Sequence, residues 1–249
     1  MTIIRGVRIM AAPCCGARFS APRYLSMNFM AFAYWTDGWR EHSLMPNGEG
    51  LRQCKCGKFT LFKELVEIDT AENSDLPYIN HVPSDLLPAC IATADNEELE
   101  VAARLEYWRE LNHPYRERYR THRDAEESDN KAMWEVQNPD TRTWWDKLRG
   151  REAPAYVRTE SMPFTVPDFE PSTEQLQNMD RLSKIFHNYS LSSPSRYNIT
   201  LAELYREQGR FSEAQEAILR TQEQDEGITS KLIAKLIQEK QPALIRYRM

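Results

Sequence analysis

The stretch LRQCKCGKF, from Leu51 to Phe59, places two cysteines one residue apart and follows them with a glycine and an aromatic residue. A similar stretch near the start of the chain, PCCGARF, runs from Pro13 to Phe19. The glycine after each cysteine pair allows a tight turn whose amides point toward the sulfurs. Two such turns, held side by side by strands, would bring four soft ligands to one point. The sequence therefore predicts one metal site formed by Cys14, Cys15, Cys54 and Cys56.

These stretches resemble the knuckles of a zinc ribbon, where each knuckle is typically Cys-x-x-Cys-Gly and a β-hairpin separates the two. The residues that align are Pro13, Cys15, Gly16 and Phe19 in the first stretch and Cys56, Gly57 and Phe59 in the second. The resemblance covers about a quarter of the chain. It implies a small antiparallel β module held by a structural zinc ion.

The pattern departs from the family at Ala12 and Gln53, which stand where the first cysteine of each knuckle is expected. Cys14 and Cys54 are displaced inward, so the spacing becomes Cys-Cys and Cys-x-Cys. In one interpretation all four thiolates bind zinc through shortened loops. A closed site of this kind has no open position for water, which weighs against zinc catalysis.

Other interpretations of the cysteines stay open. The ribbon could keep its shape by packing alone, with Cys15 and Cys56 as buried thiols. Cys54 and Cys56 could form a redox pair, although no thioredoxin-like motif accompanies them. His42 could replace one cysteine as a ligand. The fifth cysteine, Cys90, has apolar neighbours and is predicted to be a small buried hydrophobe.

Composition predicts an ordinary folded protein, with 41% apolar and 28% charged residues among 249. The chain has five cysteines, and four of them lie in two close pairs. An odd number with such pairs favours metal binding in a reducing compartment over a framework of disulfides. No apolar run approaches the roughly 20 residues of a membrane helix, and arginines interrupt the N-terminal apolar stretch. We expect a cytoplasmic protein that does not enter a membrane.

The pattern predicts an α+β chain divided into four parts. Residues 1–68 form the β module, 69–149 a linker and helical segment, 150–171 a proline-rich linker, and 172–249 a helical region. Asp95, with Glu98 three residues later, is the predicted N-cap of a helix near residue 100. The last region is expected to hold helices at Ser172–Asn188, Pro194–Gln208, Ser212–Gln224 and Thr229–Glu239.

The stretch LAELYREQGRFSEAQEAI, from Leu201 to Ile218, resembles one tetratricopeptide repeat, a helix–turn–helix unit of 34 residues. The matching positions are Leu201, Ala202, Tyr205, Gly209, Phe211, Ala214 and Ile218. Only one repeat is visible, and an array needs at least three units to form a peptide groove. We therefore favour one helical hairpin flanked by unrelated helices over a peptide-binding array.

We find no phosphate-binding glycine motif, no H-E-x-x-H and no G-x-S-x-G in the sequence. The first hypothesis is therefore a non-enzymatic adaptor whose helical C-terminal part binds another protein. Its zinc ribbon is expected to be a structural staple or a second contact surface. The second hypothesis is a nucleic-acid-binding module, because residues 1–60 hold eight basic and three acidic residues, a formal charge of +5. Its candidate stacking residues are Phe29, Phe32, Tyr34, Trp35 and Trp39, although partial alternation favours a core role for them. An enzyme whose site is assembled from distant residues would leave no local motif.

Overall fold

The computed structural model describes residues 2–27, 30–42, 50–157, 165–192, 194–222 and 227–248. The strands are β1 (Ile3–Ala11), β2 (Arg18–Ser26), β3 (Ala33–Trp35), β4 (Arg40–Glu41), β5 (Leu51–Gln53), β6 (Phe59–Leu61), β7 (Val66–Ala71) and β8 (Arg246–Tyr247). The helices are α1 (Leu87–Thr93), α2 (Glu97–Leu111), α3 (His113–Gln137), α4 (Trp144–Leu148), α5 (Thr173–Ser192), α6 (Pro194–Glu207), α7 (Phe211–Gln222) and α8 (Ile228–Gln238), with 3₁₀ turns at Phe62–Glu64 and Ser84–Leu86. Small antiparallel sheets followed by a mostly helical body confirm the α+β prediction.

The two cysteine stretches each close a hairpin. The first joins β1 to β2, which pair antiparallel from Ala11 opposite Arg18 to Ile3 opposite Ser26. The second joins β5 to β6. The predicted linker segment begins at residue 69, but residues 69–71 belong to strand β7, which pairs with β1 as an edge strand. Its side chains are almost all exposed, although the order Val66, Glu67, Ile68, Asp69 has the apolar–polar alternation of a half-buried strand.

A third sheet pairs strands from residues 33–41 with a strand at residues 246–247. Its order is β4-β3-β8, and Trp35 of β3 pairs with Arg246 of β8. Two hydrogen bonds extend this contact, from the backbone N–H of Thr36 to the carbonyl of Ile245 at 3.1 Å and from the N–H of Ile245 to Oγ1 of Thr36 at 3.3 Å. The side chain of Trp35 is fully buried.

The N-cap of helix α2 is Asn96, one residue after the predicted Asp95. Oδ1 of Asn96 accepts the backbone N–H of Leu99 at 2.8 Å, the usual geometry of an N-cap. Asp95 instead accepts a hydrogen bond from the side-chain amide of Asn96. The predicted residue type was suitable, but the helix starts one residue later than expected, so Asn96 rather than Asp95 has the N-cap position.

The four helices predicted after residue 171 are all present as α5 to α8. The third is described as far as Gln222, and the predicted end at Gln224 lies outside the described residues. These helices and α2 enclose the largest apolar core, whose central members are Trp108, Met179, Leu182, Leu201, Leu204, Ala217, Ile218 and Ile233. Two smaller cores lie under the first hairpin and between β5 and α2.

Internal contacts divide the chain into two compact units. The first contains the residues up to Asn112 together with those from Pro171 onward, and the second contains His113–Glu170. In the second unit, Tyr115 of α3 packs edge-on against Phe169 at a centroid distance of 5.1 Å and donates a hydrogen bond to the carbonyl of Pro167. The four-part division drawn from the sequence stays a prediction, and residues 158–164 of its proline-rich linker lie outside the described residues.

Candidate metal centre

The first cysteine pair lies in a tight turn between β1 and β2. The backbone N–H of Ala12 donates to the carbonyl of Ala17 at 2.9 Å, and the N–H of Gly16 donates back to the carbonyl of Ala12 at 2.8 Å. Gly16 has φ of 70°, a conformation that costs little only for glycine. These bonds hold Cys14 and Cys15 at the tip of the hairpin.

The second turn repeats this arrangement between β5 and β6. The N–H of Cys54 donates to the carbonyl of Lys58 at 2.8 Å, and the N–H of Gly57 donates to the carbonyl of Cys54 at 2.9 Å. Gly57 has φ of 86°. The glycine after each pair therefore has the turn-forming role that the sequence predicted.

All four sulfurs meet between the two turns. Sγ of Cys14 lies 3.4 Å from Sγ of Cys56, and Sγ of Cys15 lies 3.4 Å from Sγ of Cys54. The four ligand atoms all lie within 4.8 Å of one another. A tetrahedral ion with metal–sulfur bonds of about 2.3 Å requires sulfur separations of about 3.8 Å, so the four cysteines fit one metal ion.

These distances also bear on the alternatives from the sequence. The short sulfur contacts join the two hairpins, whereas the redox interpretation paired Cys54 with Cys56 inside one turn. All four cysteines are free thiols, and Cys15 and Cys56 are exposed, although the packing interpretation expected them to be buried. His42 is exposed, and it is not a member of the cluster found among the described residues.

The environment gives the thiols different acidities. The backbone N–H of Lys58 donates to Sγ of Cys56, and the thiol of Cys14 adds a second hydrogen bond, which together lower the pKa of Cys56 to about 7. The pKa of Cys14 is raised to about 12, mainly by desolvation and to a smaller extent by hydrogen bonds with the neighbouring thiols. Desolvation also raises the pKa of Cys54, against an opposing hydrogen bond from the backbone N–H of Cys56. A bound cation would favour the thiolate at every position.

A small apolar core supports one side of the cluster. Cys54 is buried and packs with Met10, Ala12, Phe19, Ala21, Leu65 and Ile79. Ala12, which occupies the position of the missing ribbon cysteine, is 1% exposed and belongs to this core. The other three cysteines are exposed, so the cluster lies at the surface with a single apolar wall.

The residues predicted for the helical hairpin lie on α6, on α7 and in the turn between them. Leu201, Ala202, Ala214 and Ile218 are fully buried, Tyr205 is 8% exposed, and Phe211 is partly buried. The N–H of Gly209 donates to the carbonyl of Arg206, and the N–H of Arg210 to that of Tyr205, which is a Schellman end for α6. These apolar positions form the hairpin's interior, so they are unavailable for a partner.

Sequence reasoning missed a buried polar cluster on α6. Glu203, Arg206 and Glu207 are each at most 1% exposed. Arg206 forms a bidentate ion pair with Glu203, with Nε 2.8 Å from Oε2, and its Nη1 donates to the carbonyl of Ala243 at 2.9 Å. Burial raises the pKa of Glu207 well above its ordinary value. Charged side chains in a helix normally indicate a solvated face, so the sequence contained no signal for this burial.

In the part of the chain that is described, no helix combines the length and the apolar character that crossing a membrane requires. Comparisons with protein-family models, with curated proteins and with solved structures gave no match to this chain. A proposal for the function therefore depends on the chemistry of the cysteine cluster and on the exposed surfaces.

Proposed function

We propose that this chain is a non-enzymatic protein-interaction adaptor whose first two hairpins are joined by a structural zinc ion. The observation that carries the metal assignment is the convergence of Cys14, Cys15, Cys54 and Cys56 within 4.8 Å. Four thiolates satisfy the tetrahedral coordination of zinc and leave no position for water or substrate. The ion would therefore stabilise the fold rather than activate a reactant.

The ligand type narrows the choice of metal. Four thiolates in tetrahedral geometry favour zinc or iron over hard cations such as magnesium and calcium. Zinc has no redox chemistry, which suits a site whose ligands are mostly exposed. Paired cysteines that bind a metal are typical of a reducing compartment, which supports our proposal of a cytoplasmic location.

Metal content and thiol protection test the metal half of the proposal. We expect one zinc per chain by elemental analysis of protein purified without added metal. Four thiols should be protected from an alkylating reagent before chelation and should react after it. A colourless sample distinguishes zinc from iron. Metal-free protein whose four thiols react at once would overturn the zinc assignment.

The interaction half of the proposal is supported by exposed aromatic rings in the second compact unit. Trp144 and Trp145 are 66% and 60% exposed, and their ring centroids are 4.6 Å apart. Helix α4 carries both rings and is fixed at its start by Thr143, whose Oγ1 accepts the N–H of Asp146 at 3.2 Å. Tryptophan is the residue type most enriched at the centres of protein interfaces.

We expect the protein purified from its native cells to be part of a stoichiometric complex, and we expect this complex to require the two tryptophan rings. A Trp144→Ala/Trp145→Ala variant should lose the partner while keeping the fold, since both side chains are solvent-exposed. Leu219→Ala, at an exposed position of α7, is the matched control and should retain it. Size-exclusion chromatography with light scattering measures the complex. Unchanged partner content in the double variant would contradict the role of α4.

Nucleic-acid binding is the second candidate, and one observation favours it. Arg18, Lys55 and Lys58 are exposed on or beside the cysteine turns. Of the candidate stacking rings, however, Trp35 is fully buried and Phe29 lies outside the described residues, while Phe32 and Trp39 are exposed. Salt-dependent binding of oligonucleotides by wild-type protein, lost on changing Lys55 and Lys58 to glutamine, would favour this candidate over the adaptor.

A further inference from the structure

A cavity of about 270 Å³ lies between the two cysteine hairpins, away from the sulfurs. Its lining side chains come from three strands and the loop after β7. They include Arg8 of β1, Ser20 and Tyr24 of β2, Arg52 of β5, and Tyr78 and His81 of that loop. This loop contacts both hairpins, because Tyr78 forms a bridge with Ser20 and His81 forms another with Arg52. The cavity is therefore framed by backbone pairing on two sides.

The wall of this cavity is positively charged. The guanidinium of Arg8 lies 5.4 Å from the centroid of the Phe62 ring, and that of Arg52 lies 5.0 Å from the same centroid. Both arginines and Phe62 line the cavity, whose described lining contains no carboxylate. Arg8 pairs with Glu67 at 3.8 Å, and their side chains are 30% and 46% exposed. A partly exposed ion pair of this kind contributes little free energy, so a ligand can compete with Glu67 for Arg8.

The second guanidinium is buried and fixed in position. Arg52 is 2% exposed, and its Nη1 donates to the carbonyl of Leu51 at 2.8 Å and contacts Nδ1 of His81 at 2.7 Å. Arginine has only donors, so Nδ1 of His81 accepts and the ring carries its proton on Nε2. The carboxyl group of Glu106 attracts Arg52 from the side of α2. A fixed, desolvated guanidinium is well suited to bind an oxyanion.

We propose that this cavity binds a small organic phosphate. Two guanidiniums match the charge and the several acceptor oxygens of a phosphate monoester better than those of a single carboxylate. The rings of Phe62, Tyr24 and Tyr78 provide an apolar wall for the organic part. The volume is slightly below the roughly 300 Å³ at which ordinary ligand pockets begin, so the organic part is limited to about one ring.

Isothermal titration of the full-length, metal-containing protein tests this assignment. The probes are phenyl phosphate, inorganic phosphate and benzoate, in a low-salt buffer free of phosphate and sulfate. Phenyl phosphate should bind best, inorganic phosphate more weakly because it lacks the ring, and benzoate least because it carries one charge. Equal affinity for benzoate and phenyl phosphate, or no heat from either phosphate at millimolar concentration, would overturn the proposal.

Variants locate the binding on the molecule. Arg8→Met should weaken phenyl phosphate binding by roughly tenfold or more, since it removes a charge-assisted contact. Arg23→Met is the matched control, because Arg23 is an exposed arginine of β2 that does not line the cavity, and its affinity should equal that of wild type. Tyr78→Ala removes a ring that is 58% exposed, so it should fold normally and lower the affinity for phenyl phosphate more than that for inorganic phosphate. Wild-type affinity in both Arg8→Met and Tyr78→Ala would place the binding elsewhere.

Discussion

Cys56→Ser is expected to release the metal and to loosen the contact between the two hairpins. Cys56 is exposed and its Sγ lies 3.4 Å from that of Cys14, on the other hairpin. Serine preserves the shape of the side chain but is a poor zinc ligand, so the change removes one of four bonds at little packing cost. In zinc-finger peptides the metal contributes about 10–16 kcal/mol to folding. We expect a smaller loss here, because the core around Phe19 and Leu65 also holds the hairpins.

Elemental analysis and amide hydrogen exchange measure this result. The amides of Gly16 and Gly57 close the two turns and should lose protection together with the metal. Cys90→Ala is the matched control, since Cys90 is fully buried in a different core. It should lower the free energy of unfolding by about 1 kcal/mol while keeping one metal per chain. A Cys56→Ser protein that keeps stoichiometric metal and full protection would contradict the four-thiolate site.

Arg206→Met is expected to destabilise the first compact unit by about 3–5 kcal/mol, the usual cost of leaving one partner of a buried ion pair alone. Arg206 and Glu203 both have side chains that are 0% exposed. Methionine fills much of the same volume, so the dominant loss is the charge that neutralises Glu203. The variant also removes the donors to the carbonyls of Gln241 and Ala243 and to Oγ1 of Thr36.

Urea denaturation provides the measurement, with the free energy of unfolding extrapolated to water. Arg210→Met is the matched control on the same hairpin. Arg210 pairs with Glu213 at 3.0 Å, but their side chains are 39% and 44% exposed, so its loss should cost at most about 1 kcal/mol. Equal effects of the two substitutions would mean that the buried pair contributes no more than a surface pair.

Local patterns predicted the elements that depend on neighbouring residues. The cysteine–glycine spacing located both turns, because the conformation of a turn is decided within about five residues. The apolar period of α5 to α8 located the helices to within a few residues. The prediction of a four-cysteine cluster needed only the assumption that the two hairpins lie side by side.

Features that depend on distant partners could not be predicted in this way. Strand β7 has almost entirely exposed side chains, and its pairing with β1 is visible only in the fold. Burial of the Glu203–Arg206 pair depends on the carbonyls near residue 243. The cavity beside Arg52 is lined by residues of β1, β2, β5 and the loop after β7, which have no common sequence motif. Each of these requires the fold to be known before its chemistry can be recognised.

The pairing of β3 with β8 has a consequence for the order of folding. The hydrogen bond between Thr36 and Ile245 spans 209 residues, so the chain entropy of a very long loop opposes its formation. During synthesis, β3 must wait until residues 245–247 have been made before its edge is covered. The cysteine hairpins contain mostly local contacts and can form early. Pulse-labelling of nascent chains should therefore detect ordered turns around the cysteines well before Trp35 becomes protected.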